Sequence, residues 1–212
     1  SAIIQVTNSS LTSNGGNITL DQLNHSTTGA DGEASANPGA LTIKVSNSTL
    51  NASNTSSAGN ITLSAYNPNV NLSLPQYTGT IRNGGSVLEV SGNSALHGNN
   101  IVLQSQLDGN LSTGLPVFLN GSTLTADNDL TIRGVVTNSS TAVNIEFRGA
   151  ANNLTATKGN ITLSNTVLKS ASHALKVGGG TWTAGQNIVV NASTTNSAYQ
   201  GLNASNLTMT AG

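Results

Sequence analysis

Short alternating runs of apolar and polar residues recur along the chain. The string Gly-Asn-Ile-Thr-Leu occurs at 16–20, 59–63 and 159–163. Looser copies are Asn-Ile-Val-Leu at 100–103, Asp-Leu-Thr-Ile at 129–132 and Asn-Ile-Val-Val at 187–190. A period of two is the mark of a strand, with Ile and Leu on one face and Asn and Thr on the other. We take these runs as strand one of successive coils that start near residues 16, 59, 98, 127, 159 and 185, spaced by 43, 39, 29, 32 and 26 residues.

A second strand follows in each coil. Its copies lie at 4–6, 41–45, 88–90, 117–119, 143–147 and 175–177, with a poor last copy near Leu202. A third strand is anchored by Leu11, Leu50, Leu96, Leu124, Leu154, Trp182 and Leu207. A small residue usually sits two places on, as at Ala52, Ala126, Ala156 and Ala184. The connection from strand one to strand two takes up most of the length variation, as in 21–39 and 64–85.

Stacking such coils aligns Ile18, Ile61, Ile101, Leu130, Ile161 and Ile188 in one inward ladder. Leu20, Leu63, Leu103, Ile132, Leu163 and Val190 form the next. One coil cannot bury its apolar face alone; its neighbours do that. The pattern therefore predicts an all-β fold, a right-handed parallel β-helix with three short strands per coil. It predicts one β-helix segment over 1–212, with a partial coil at 1–15 and about six and a half coils in all. Its length would be roughly 30 Å at ~4.8 Å per coil.

The outward residues of strand two give an independent check on the alignment. In order they read Gln5, Lys44, Glu89, Phe118, Glu146 and Lys176, which sets Lys44 beside Glu89 and Glu146 beside Lys176. Opposite charges on adjacent strands are mildly stabilising, and an exposed pair contributes ~0–1 kcal/mol, so these pairs mark register more than stability. Pro38, Pro68 and Pro75 are expected in the long connections, and Pro116 at the start of a strand. The chain opens inside a strand-like stretch at 2–6 and stops on a repeat boundary. That reads as a segment cut from a longer solenoid, and exposed strand edges at its ends would favour end-to-end association.

Composition narrows the function. Charged residues make up 7% of the chain and the net charge is -1, against about 25% charged residues in an ordinary domain. No basic patch exists to neutralise phosphates, so nucleic acid is not an expected partner. The 36% of hydrophobic residues, regularly placed, distinguishes the chain from a disordered one. There is no cysteine, hence no disulfide or thiolate chemistry. No apolar run reaches the ~18 residues of a membrane span, so no membrane insertion is expected.

Candidate chemistry is thin. Polysaccharide-active β-helices need clustered carboxylates. Here eight residues are acidic, and Asp127 and Asp129 are the close pair, at a coil start where Asp commonly shapes a turn. His25, His97 and His173 have no metal-ligand spacing. Gly178-Gly179-Gly180 lacks the Lys-Ser/Thr of a phosphate loop and reads as a tight corner. No catalytic residue, cofactor or metal is expected. Ice-binding β-helices would need sustained outward Thr-x-Thr, but strand one presents Asn-x-Thr or Asn-x-Val. Trp182 occupies a leucine ladder, which favours a core role over a sugar platform.

The sharpest signal is Asn-x-Ser/Thr. It occurs sixteen times, at Asn8, Asn17, Asn24, Asn47, Asn51, Asn54, Asn60, Asn71, Asn110, Asn120, Asn138, Asn153, Asn160, Asn191, Asn203 and Asn206. Random placement of 30 Asn and 54 Ser plus Thr in 212 residues gives about eight (30 × 54/212), half of what is found. On a strand, Asn and Thr two apart face outward together, so a sugar would point to solvent. The competing reading is purely geometric: Asn17, Asn60 and Asn160 would form a ladder with Asn100, Asp129 and Asn187. Asparagines in connections, such as Asn24, Asn54, Asn71 and Asn138, escape that second reading.

The repeated Gly-Asn-Ile-Thr-Leu, the Asn-Ser-Thr-Leu at 47–50 and the Thr-Ala-Gly at 183–185 and 210–212 resemble the filamentous-haemagglutinin-like family. These are large exoproteins of Gram-negative two-partner secretion, and the density of Asn-x-Ser/Thr is most similar to the high-molecular-weight adhesin branch. The resemblance implies a shaft segment of a secreted, cell-surface adhesin that attaches to host cells. It implies an outer-membrane secretion pore as export partner, a host-cell surface receptor, and a cytoplasmic glycosyltransferase that modifies matching asparagines with hexose. The same repeat family includes stalks of contact-dependent growth inhibition toxins, which is the alternative reading.

Overall fold

A computed structural model of the chain describes residues 4–23, 43–70, 86–109, 115–137, 145–149, 152–167, 173–194 and 201–212. The described residues contain strands and turns but no helix. They form three parallel sheets.

The strand-two sheet runs β1 (Ile4–Thr7), β4 (Ile43–Ser46), β7 (Ser86–Ser91), β10 (Leu115–Asn120), β13 (Ile145–Arg148), β16 (Leu175–Val177) and β19 (Leu202–Ala204). The strand-three sheet runs β2 (Ser10–Thr12), β5 (Thr49–Asn51), β8 (Ala95–Gly98), β11 (Thr123–Ala126), β14 (Asn153–Ala156), β17 (Gly180–Ala184) and β20 (Leu207–Ala211). The strand-one sheet runs β3 (Ile18–Leu23), β6 (Ile61–Val70), β9 (Ile101–Gly109), β12 (Leu130–Thr137), β15 (Ile161–Val167) and β18 (Ile188–Thr194). Every third strand pairs, so the molecule is a parallel β-helix with three strands per coil: two leading strands and six coils.

Register is as the alternation requires. Ile18, Ile61, Ile101, Leu130, Ile161 and Ile188 are successive partners, as are Leu20, Leu63, Leu103, Ile132, Leu163 and Val190. The middle members of both ladders are fully buried, whereas Leu20, Ile188 and Val190 in the outer coils are only partly covered. Fully burying such a side chain contributes ~1.5–3 kcal/mol. The coil supplies only one side of each ladder position; the coils above and below supply the rest. Met209, an inward residue of the last coil, is correspondingly 50% exposed.

Coils approach closely where one ends and the next begins. A Cβ at Gly59 would strike the backbone oxygen of Gly16 in the preceding coil. That contact, and a like one of Gly159 with Asn128 and Asp129, explains glycine at those two copies of the repeated string, whereas Gly16 has room for a Cβ. The interior is closed by Trp182, fully buried edge-to-face against Phe147 with ring centroids 5.6 Å apart. Trp182 is therefore a core residue, as its ladder position indicates.

Three expectations need correction. Strand one is longer than its motif: β3 reaches Leu23 and β6 reaches Val70, so 21–23 and 64–70 are strand and not connection. Parallel neighbours that are equally extended, such as β9 and β12, provide the hydrogen bonds that a short-range reading cannot see. Pro68 consequently lies inside β6, at a register shift between Asn67 and Val70, where a missing donor is tolerated. In the last coil Trp182 is partnered by Met209, and Leu207 pairs with Gly180, so Met209 and not Leu207 is the ladder residue there. Pro38 and Pro75 fall outside the described residues.

Facing predicts opposite outcomes for two adjacent substitutions. Ile161→Asp puts an unpaired charge into the fully buried ladder and should cost more than about 4 kcal/mol, abolishing cooperative folding. Thr162→Asp, facing out, should stay within about 1 kcal/mol of the parent. Thermal unfolding followed by circular dichroism checks both; equal melting midpoints would reverse the assigned facing.

Candidate functional site

The polar residues singled out by the sequence are organised by the same coil register as the core. At the start of strand one, the backbone N–H of Asn60 donates to Asn17 Oδ1 at 2.8 Å. The pattern repeats from Asn100 to Asn60 Oδ1 (3.2 Å), from Asp129 to Asn100 Oδ1 (3.1 Å), from Asn160 to Asp129 Oδ1 (2.8 Å) and from Asn187 to Asn160 Oδ1 (3.2 Å). Side-chain Nδ2 groups of Asn100, Asn160 and Asn187 reinforce it by donating to the same oxygens. Each step needs a carboxamide or carboxylate oxygen, which is why Asp129 can replace Asn. The geometric ladder is real. It is also compatible with a glycan, because modification at Nδ2 leaves the Oδ1 acceptor and one N–H in place.

A second set of asparagines turns the corner from strand two to strand three. Asn8, Asn47, Asn93 and Asn206 have φ of 50°, 48°, 61° and 53°, and Gly121 and Gly149 hold the matching corner at 66° and 81°. Asn is the residue other than Gly that enters this left-handed region most readily. A polar side chain points inward directly after Asn47, Asn93 and Gly121, and three places after Gly149. Ser48, Ser94, Ser122 and Asn152 are buried and fully hydrogen-bonded: Ser48 N–H donates to Ser94 Oγ, and Ser122 N–H to Asn152 Oδ1, both at 3.2 Å. Ser122 Oγ in turn donates to the Val90 carbonyl at 2.9 Å. Asn at this corner is thus partly a product of backbone geometry, and at Asn8, Asn47 and Asn206, where Ser or Thr stands two places on, that gives the sequon a cause that composition statistics do not contain.

The other described sequons sit on outward or turn positions. Asn51 Oδ1 accepts from Ser53 N–H, and Asn54 Oδ1 accepts from the N–H groups of Ser56 and Ser57 while its Nδ2 donates to the Asn14 carbonyl. Asn120, Asn153 and Asn191 are exposed, and Asn203 is half-buried with Nδ2 3.1 Å from His173 Nε2. Asn24, Asn71, Asn110 and Asn138 fall outside the described residues.

Charge is concentrated on the strand-two sheet. Lys44 Nζ lies 3.7 Å from Glu89, and Glu146 is held by Arg148 at 3.0 Å and Lys176 at 3.8 Å. Arg148 also caps the Phe118 ring at 5.1 Å. Both sequence-paired bridges therefore form, and the register adds Arg148 to one of them. The structure further brings together His97 and Asp127, with Nε2 and Oδ1 3.2 Å apart on neighbouring coils. Thirty residues separate them, so only the coil alignment could have revealed the pair. Asp129 points instead into the asparagine ladder. Among the described residues no three His, Asp or Glu side chains converge as metal ligands would.

Comparison with known proteins returned no matching family model, no matching curated protein and no matching solved structure. The functional reading therefore stands on the fold, on the disposition of these residues and on the motif resemblance.

The corner yields a test that separates backbone conformation from modification. Asn47→Gly and Asn47→Ala both delete the sequon, but only Ala is strained at φ 48°. Asn47→Ala should lose about 1 kcal/mol and about 2–4 °C in melting midpoint, while Asn47→Gly should match the parent. Paired thermal melts of unglycosylated protein check this.

Proposed function

We propose that this chain is a structural and adhesive shaft segment of a large secreted bacterial surface adhesin. The observation that carries the proposal is that coils of 43 and 26 residues stack with their Ile and Leu ladders in the same register. Each coil adds one strand spacing of length whatever its connections contain, and that is what a spacer requires. The motif resemblance supports export through an outer-membrane pore of the two-partner type and display at the Gram-negative cell surface, facing a host-cell receptor. The excess of Asn-x-Ser/Thr supports modification by a cytoplasmic glycosyltransferase before export.

Two measurements test the proposal. In the native protein, removal of residues 127–158, one whole coil, should leave secretion and attachment intact, since the flanking coils can restack. Loss of attachment with secretion intact would place a receptor site in that coil and refute the spacer reading. Peptide mapping of protein from its own host should find hexose on a subset of the sixteen sequons. Protein from a host lacking the transferase should be bare. Bare sequons in native material would remove the glycosylation part of the proposal.

A further inference from the structure

The outward positions of the strand-three sheet form a threonine lattice, and we propose that this face binds the surface of ice. In β11, β14, β17 and β20 the outward residues are Thr123 and Thr125, Asn153 and Thr155, Thr181 and Thr183, and Thr208 and Thr210, aligned as direct partners from coil to coil. Seven of these eight are threonine. Strand one offers no such array, and the sequence pattern alone placed no Thr-x-Thr face.

Strand propensity does not account for the enrichment. Over the same coils the outward residues of the strand-two sheet are Phe118, Asn120, Glu146, Arg148, Lys176 and Asn203, with no threonine. The two sheets share the fold and the propensity but not the surface chemistry. The lattice also holds no ionisable group, whereas the Lys44, Arg148 and Lys176 ion pairs all lie on the other sheet. His97 and Ala95 bound it on one side, in β8.

The geometry favours an ordered, uncharged, oxygen-rich lattice as the occupant. Neighbouring threonines stand about 4.8 Å apart between coils and about 6.6 Å apart along a strand. Each hydroxyl both donates and accepts, and each methyl beside it disfavours loosely held water. The base is rigid: Leu124, Leu154 and Trp182 beneath the face are fully buried, as are Ala126 and Ala156. The eight lattice residues include no aromatic side chain to serve as a platform. A flat, periodic water lattice matches it better than a soluble ligand does. This inference is independent of the shaft reading.

The test is partition of the 212-residue protein into a growing ice hemisphere, with crystal shape and thermal hysteresis recorded in parallel. The parent should enter the ice and facet the crystals. Thr155→Lys and Thr183→Lys should abolish both effects while retaining the parent's circular dichroism and melting midpoint. Thr131→Lys, an outward threonine on the strand-one sheet, should behave as the parent does. Exclusion of the parent from ice overturns the proposal. So does loss of ice affinity in Thr131→Lys, or retention on microcrystalline cellulose without any effect on ice.

Discussion

Parallel pairing between successive coils is the constraint on which every other feature of this protein depends. A strand of three or four residues cannot bury its apolar side chains by itself. It does so here because the equivalent residue of the next coil lies one strand spacing away and carries a side chain of similar shape. Ile61 on Ile101 on Leu130 is a contact between like residues repeated along the axis. A one-residue slip would turn each of these outward, so the core itself enforces the register.

The polar residues obey that register and could not have their roles without it. The Asn17-to-Asn187 ladder satisfies backbone N–H groups at each coil start by lending each an oxygen from the coil before. At the opposite corner the oxygen comes from the coil after: Ser94 Oγ accepts from Ser48 N–H and Asn152 Oδ1 from Ser122 N–H, while Ser122 Oγ donates to the Val90 carbonyl. Buried backbone must be hydrogen-bonded wherever the chain leaves a sheet, and a solenoid meets that demand with the same residue type at the same corner in each coil. Part of the unusual Asn and Ser content is explained by this demand before any modification or binding is considered.

What remains free to vary is the outer surface, and its three faces differ. The strand-two face carries the lysine and arginine ion pairs, the strand-three face is neutral and hydroxyl-rich, and the strand-one face mixes Thr, Ser, Gln and Arg. The core constrains only inward positions, so each face can acquire its own chemistry at little cost in stability. A shaft that extends length by adding coils and a face that repeats a surface chemistry at the coil spacing are two consequences of one geometry.

The sequence by itself determined the fold and most of the register. Period-two alternation identifies inward residues locally, and the recurrence of Gly-Asn-Ile-Thr-Leu states which residues must align. The Lys44–Glu89 and Glu146–Lys176 pairs and the core position of Trp182 followed from that alignment alone. It also determined that Asn17, Asn60 and Asn160 could form a ladder, though not whether they do. Only the tertiary structure decided features that depend on contacts across coils. The extension of β6 through Pro68 depends on hydrogen bonds from neighbouring strands, and the choice of Met209 over Leu207 depends on partner alignment in a degenerate last copy. Pairing of His97 with Asp127 joins residues with no local signature. The left-handed corners of Asn8, Asn47 and Asn206 give their sequons a second cause, visible only in backbone angles. The threonine columns flank Leu124, Leu154 and Trp182, which the alignment had already named as strand-three anchors, but their continuation to Thr208 and Thr210 was decided by the tertiary structure, because it is Met209 and not Leu207 that pairs with Trp182.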